Sequence, residues 1–242
     1  MGISQSQRRA KRRPRKQLSM TDTLTLPRRQ FMFGGASLAA LALTGCTTTG
    51  NTRPVADAGP MVPQQYLSMY AALPEERFPI PAADISKLDP QYWRQDVADP
   101  TGERPGTVVV DTGNRFLYLV GEDGRAMRYG VGIGRDGFAW SGRAKIQYKR
   151  EWPTWTPPAE MIVRQPELEP YRRGMEPSLM NPLGARALYL FQNGEDTLYR
   201  LHGNGDVLSI GKAVSSGCVR LLQQDIIDLY NRVPSGSPVL VV

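Results

Sequence analysis

From Gly106 onward the chain is cut by glycine turns into short runs of β-branched and aromatic residues, a texture that fits a mainly β domain. Runs at 107–110, 115–120 and 126–133 read as strands, and Gly121-Glu122-Asp123-Gly124 between the last two suits a hairpin loop. In Phe116-Leu117-Tyr118-Leu119-Val120 both alternating faces are apolar, as in a strand buried between layers. A second hairpin runs through 187–191, a turn at Asn193-Gly194 and 197–202. After Cys218 the apolar Leu222, Ile226, Leu229, Tyr230 and Val233 fall on one helical face, Pro234 stops that helix, and 238–242 returns as a final strand. The expected architecture is a β-sandwich with one short helix next to Cys218.

Two stretches lack that texture. Residues 47–104 carry Pro54, Pro60, Pro63, Pro74, Pro79, Pro81, Pro90 and Pro100, which predict a tether and a loosely packed, irregular lead-in over 46–104. Residues 151–181, with Trp152, Pro153, Trp155, Pro157 and Pro158, read as a long ordered loop. Loops of that length are often functional, so a lid or substrate wall is one reading, and an aromatic plug over the core the other.

The net charge of +7 raises the question of a nucleic-acid partner, and its distribution answers it. Nine Lys and Arg against Asp22 alone lie in the first thirty residues, leaving 21 basic and 22 acidic residues, a net of −1, over 46–242. The body of the chain has no electrostatic reason to seek a phosphate backbone, and no nucleic-acid partner is expected.

The basic stretch ends in Arg28-Arg29-Gln30-Phe31 and is followed by an uncharged run over 33–45, the layout of an export leader over 1–45. The run is short for a permanent span, which needs roughly 20 apolar residues. The arginine pair resembles the twin-arginine export signal. Leu43-Thr44-Gly45-Cys46 resembles the lipobox of bacterial lipoproteins, in which the cysteine is acylated after cleavage, and the polar segment from Thr47 suits a tether. Cys46 is then either a lipidation site or lost with the leader. Under the first reading the protein is periplasmic and held by a lipid anchor, and Thr47 in place of an Asp is compatible with the outer membrane.

Cys46 and Cys218 are the only cysteines and His202 the only histidine. With Cys46 acylated or removed, Cys218 has no disulfide partner, and a lone thiol in an oxidising compartment is a liability unless its reactivity is used. A thiol of pKa about 8.5 is only about 3% ionised at pH 7, so a nucleophilic cysteine benefits from an imidazole beside it. Ser216-Gly217-Cys218 offers consecutive backbone N–H groups at a glycine turn, suited to an oxyanion. No Cys or His cluster suggests a metal, and no cofactor is expected. On spacing alone the alternative stays open that Cys218 and His202 are buried structural residues.

His202-Gly203, then Ser209-Ile210-Gly211, then Ser215-Ser216-Gly217-Cys218-Val219-Arg220 resembles the signature of the L,D-transpeptidase catalytic domain, the YkuD-like family. The resemblance extends over about 105–242 and includes Asn181-Pro182-Leu183-Gly184-Ala185. It implies that Cys218 is the nucleophile, His202 the base, and Gly203 the residue whose carbonyl orients the imidazole. It also implies that Gly217 and Cys218 supply oxyanion donors. Arg220 stands at the motif's arginine, where it shapes the site, binds a stem carboxylate or makes a structural ion pair. Ser216 stands where many members carry histidine. The implied reaction is attack by Cys218 on a peptidoglycan tetrapeptide stem, release of D-alanine, and transfer of the acyl group to an amine. That amine belongs to a neighbouring stem, giving a 3-3 crosslink, or to an envelope protein. Hydrolysis by the same residues and a non-catalytic wall-binding lipoprotein are the alternatives. An acyl-transfer thiol of this kind is expected to open a carbapenem lactam.

Overall fold

The computed structural model describes residues 61–134, 141–215 and 217–242. The leader, the lipobox with Cys46, the segment from Thr47 to Pro60, and Ser216 lie outside the described residues.

The strand runs expected after Gly106 form strands, with 126–133 split in two and further strands beside them. In order these are β2 (Val108–Asp111), β3 (Phe116–Val120), β4 (Arg125–Gly130), β5 (Ile133–Gly134), β6 (Gly142–Glu151), β7 (Arg186–Gln192), β8 (Glu195–Asn204), β9 (Ala213–Ser215), β10 (Val219–Leu222) and β11 (Pro238–Val241). They follow β1 (Gln95–Ala98). Nine form one sheet in the order β1-β4-β3-β2-β11-β6-β7-β8-β10, and β5 pairs with β9 separately. The large sheet folds back on itself: Gly132, just past β4, exchanges two backbone hydrogen bonds of 2.8 and 2.9 Å with Arg220 in β10. That closure encloses a core of Val108, Val110, Leu117, Tyr129, Ile146, Leu188, Leu201, Val219, Leu221 and Val239.

Strand β3 serves two layers, as its sequence predicts. Leu117 faces the main core, while Phe116, Tyr118 and Val120 pack with Val109 and Ala126 on the opposite face. The 193–194 turn has φ of 52° at Asn193 and 86° at Gly194, the left-handed pair that an Asn-Gly hairpin favours. Helix α3 (Gln223–Arg232) follows β10 directly and inserts Ile226, Leu229 and the following Val233 into the main core.

The lead-in departs from the expectation of loose packing. Helix α1 (Gln64–Met69) leads to Tyr70, which is buried with Ile85, Leu88 and Trp93 against Ile210 and Leu222, and β1 joins the sheet antiparallel to β4. The prolines interrupt regular structure without preventing packing, because aromatic and aliphatic residues between them reach the sheet domain. The 151–181 stretch likewise holds helix α2 (Ala159–Arg164), whose N-cap is Pro158, and a 3-10 turn starting at Pro166. Proline is compatible with both positions because the first turn has no use for its missing N–H.

Candidate active site

Strands β8 and β10 run parallel, with Val219 opposite Leu201 and Arg220 opposite His202. Side chains alternate between faces along a strand. Leu201, Val219 and Leu221 point into the core, so Arg200, His202 and Arg220 share the other face. The pairing sets the strand that carries the unique histidine beside the strand that begins directly after Cys218.

His202 is 4% exposed, and its Nδ1 lies 2.9 Å from the Gly203 carbonyl oxygen. A carbonyl only accepts, so Nδ1 carries the hydrogen and Nε2 keeps its lone pair. Burial lowers the imidazole to about 4, although the Gly203 and Pro182 carbonyls favour a charged ring. The nearby Arg220 and Arg200 charges reinforce the lowering. The ring is therefore neutral across the physiological range.

The space over Gly203 is already filled. A Cβ there would collide with Oε1 of Gln223, the first residue of α3, and lie 3.0 Å from Ile226. That same Oε1 accepts a 2.9 Å hydrogen bond from the Ala185 amide. The Gly203 amide donates to the Leu183 carbonyl at 3.1 Å, which braces the histidine strand against the 181–185 turn. Asn181, 3% exposed, ties that turn to the long middle segment through its Nδ2, which donates to the carbonyls of Pro153, Met175 and Glu176 at 3.0–3.2 Å.

Cys218 is half-buried, forms no disulfide among the described residues, and lies at the wall of a cavity of about 490 Å³. Burial pushes its thiol up; the Arg200 backbone amide and the Arg200 and Arg220 charges oppose that, and Asp196 adds to it. The thiol contacts the Leu198 carbonyl at 3.9 Å. Gly217 stands at φ 137°, where an L side chain is strained, and Gly134 packs so tightly on it that a Cβ at Gly134 would lie 2.8 Å from the Gly217 Cα.

The opposite wall of the cavity comes from the middle segment: Thr154, Trp155, Thr156, Pro158 and Met161. The two readings of that segment divide between its tryptophans. Trp155 lines the cavity, while Trp152 is 4% exposed and plugs the core edge-on to Phe78. Arg220 is not among the described residues lining the cavity; Arg200 is. Sequence reasoning missed Arg200, Leu198, Tyr189 and Asn181. Of these only Asn181 left a signal, as part of the Asn-Pro-Leu-Gly turn.

The model of the YkuD L,D-transpeptidase catalytic domain matches residues 105–241. A Fuscovulum blasticum protein named as an L,D-transpeptidase is 32% identical over 162 residues, covering 66% of this chain and 79% of that protein. The Escherichia coli protein named as L,D-transpeptidase YbiS is 32% identical over 156 residues, covering 60% of this chain and 47% of its own length. This match thus spans about half of YbiS. A solved Brucella melitensis structure, described as a carnitine operon oxidoreductase, is 44% identical and covers 66% of this chain and 99% of that one, with a TM-score of 0.46.

Proposed function

Since the chain belongs to the YkuD L,D-transpeptidase catalytic-domain family, we propose that it is a cysteine transpeptidase of peptidoglycan, with Cys218 as nucleophile and His202 as base. One observation carries the reading: a neutral, carbonyl-anchored imidazole sits on the strand paired with the one that Cys218 leads into, and the Cys218 thiol lines a cavity large enough for a peptide.

In this reading the Cys218 sulfur attacks the carbonyl of the third stem residue while His202 Nε2 takes the thiol proton. The amides of Gly217 and Cys218 hold the oxyanion. The protonated imidazole returns its proton to the amine of the departing D-alanine, leaving a thioester. An amine from a neighbouring stem or an envelope protein then attacks the thioester, and His202 removes its proton as the thiolate leaves. Export by the twin-arginine-type leader and acylation of Cys46 would hold the domain at the periplasmic face of a membrane, the outer membrane included. Ser216 and Arg220 complete the motif beside the nucleophile.

The test is incubation of the purified protein with tetrapeptide-bearing wall fragments, followed by mass analysis. Loss of D-alanine with a gain in crosslinked mass is expected, together with a Cys218 adduct after carbapenem treatment. Hydrolysed stems alone would replace transfer with hydrolysis, and unchanged stems with no adduct would exclude both.

A further inference from the structure

The middle of β8 is not a regular strand. Tyr189 of β7 pairs with Arg200 and Phe191 with Asp196, so Thr197, Leu198 and Tyr199 stand opposite Leu190 alone. Leu198 lies at φ 62°, a conformation that disfavours a non-glycine residue and that persists only where its surroundings impose it. Those surroundings are well defined. Asp196 Oδ1 accepts from the Leu198 amide at 2.8 Å, and both Asp196 oxygens accept from the Arg200 guanidinium at 2.7 Å. The guanidinium also donates to the Tyr199 carbonyl at 2.9 Å and lies 4.4 Å from the centre of the Tyr189 ring. Thr197 Oγ1 closes the bulge by donating to the Leu190 carbonyl at 2.6 Å. The result faces Cys218, whose sulfur touches the Leu198 carbonyl and whose thiolate form is favoured by the Arg200 amide.

We propose that Asp196 and Arg200 form a positioning clamp that fixes the β8 bulge and, through the Leu198 carbonyl and the Arg200 amide, sets the placement and reactivity of the Cys218 thiol. Bulges beside active sites commonly re-aim groups in this way. The clamp acts through Cys218 and is itself no part of the bond-making set. Because its two members carry opposite charges, they act on the sulfur in opposite senses. The Arg200 charge favours the thiolate and Asp196 disfavours it. The other polar or titratable groups on the elements around the sulfur are His202 on β8, Arg220 on β10, the phenols of Tyr189 and Tyr199, and the hydroxyls of Thr154, Thr156 and Thr197 on the cavity wall. None is replaced in the tests of the clamp, although Tyr189 and His202 also feel the Arg200 charge.

The inference rests on the thiol that the proposed acyl transfer uses, but its test reads that thiol directly. The rate of iodoacetamide alkylation is followed from pH 6 to 10 on the peptide carrying Cys218, resolved from that of Cys46. In Asp196→Asn the amide oxygen still caps Leu198 while the negative charge is gone, so the midpoint is expected to fall and alkylation at pH 7 to rise on the order of threefold, half a pKa unit. In Arg200→Met the midpoint is expected to rise and alkylation at pH 7 to fall by a similar factor. A merely structural pair would move both variants the same way, and that result, or two unshifted midpoints, overturns the proposal. Should Arg200→Met fail to fold, Asp196→Asn decides alone: a lowered midpoint supports the clamp, and an unchanged or raised one overturns it. A chain that proves to have no transpeptidase activity would leave this alkylation pattern intact, so the two failures are distinguishable.

Discussion

Burial moves the two groups of the proposed catalytic pair in opposite directions, lowering the His202 imidazole to about 4 and raising the Cys218 thiol. Both shifts favour the uncharged form, so the resting pair is thiol and imidazole rather than thiolate and imidazolium. In the proposed reaction proton transfer must then accompany attack on the substrate carbonyl, so that each residue depends on the other. His202→Ala and Cys218→Ala are each expected to lower acyl transfer on the order of 10³-fold or more, with the double variant scarcely worse than either. Initial rates at pH 7 on a stem substrate decide it, and near-wild-type turnover in His202→Ala would remove the base from the mechanism. The sequence pointed to this pair through the resemblance of the His202 to Arg220 segment, while spacing alone left a structural role for both residues open. Leu198 was not legible, since nothing about a leucine announces a left-handed backbone.

At the scale of elements, the histidine strand is held by the first turn of α3. The Gln223 side chain fills the space over Gly203 and satisfies the Ala185 amide. Gly203→Ala is expected to displace that side chain, leave the amide without its partner and cost about 1–3 kcal/mol. The added Gln223→Ala change would relieve the collision but not restore the bond. Chemical denaturation of the three variants checks this order: the double variant should be no less stable than Gly203→Ala. Helix α3 could be read from the spacing of its apolar residues, because one face meets the core and the other does not. Strand β6 could not, since of its ten residues only Ile146 is buried and lysine and arginine occupy four of the rest. The 151–181 segment hid α2 for a different reason: Pro158 and Pro166 sit at the starts of turns, where they initiate helices rather than break them.

Over the whole molecule, the lead-in is fastened to α3 by a buried polar cluster. The Tyr70 hydroxyl donates to Asp225 Oδ2 at 3.1 Å and accepts from the Arg94 amide at 2.7 Å, while Arg94 pairs with Asp228 at 3.0 Å. Asp225 is fully buried, and that burial raises its carboxyl to about 7, against the pull of Arg94. A carboxyl whose folded value lies above its unfolded one binds more protons in the folded state, so its contribution is complete below the unfolded value of 3.8 and is lost as pH rises towards 7. Asp225→Asn keeps an acceptor for Tyr70 and does not ionise. The difference in melting temperature between the two proteins should therefore move steadily in favour of the variant as pH rises from 4 towards 7. A constant difference across that range would show that Asp225 is charged throughout. The prolines of the lead-in concealed this fastening because they say where regular structure stops, not what the residues between them touch. The place of β11 has a different consequence, one of timing. It lies between β2 and β6 and joins the β1-β4-β3-β2 half of the large sheet to the β6-β7-β8-β10 half, yet every other strand precedes it in sequence. A chain emerging from the ribosome cannot bridge β2 to β6 until residues 238–241 have been made. It must carry two incomplete sheet edges in the meantime, and edges of that kind invite pairing with other chains. Assembly waits on a contact between residues about 130 positions apart, Val108 with Val239, the long-range kind that slows folding.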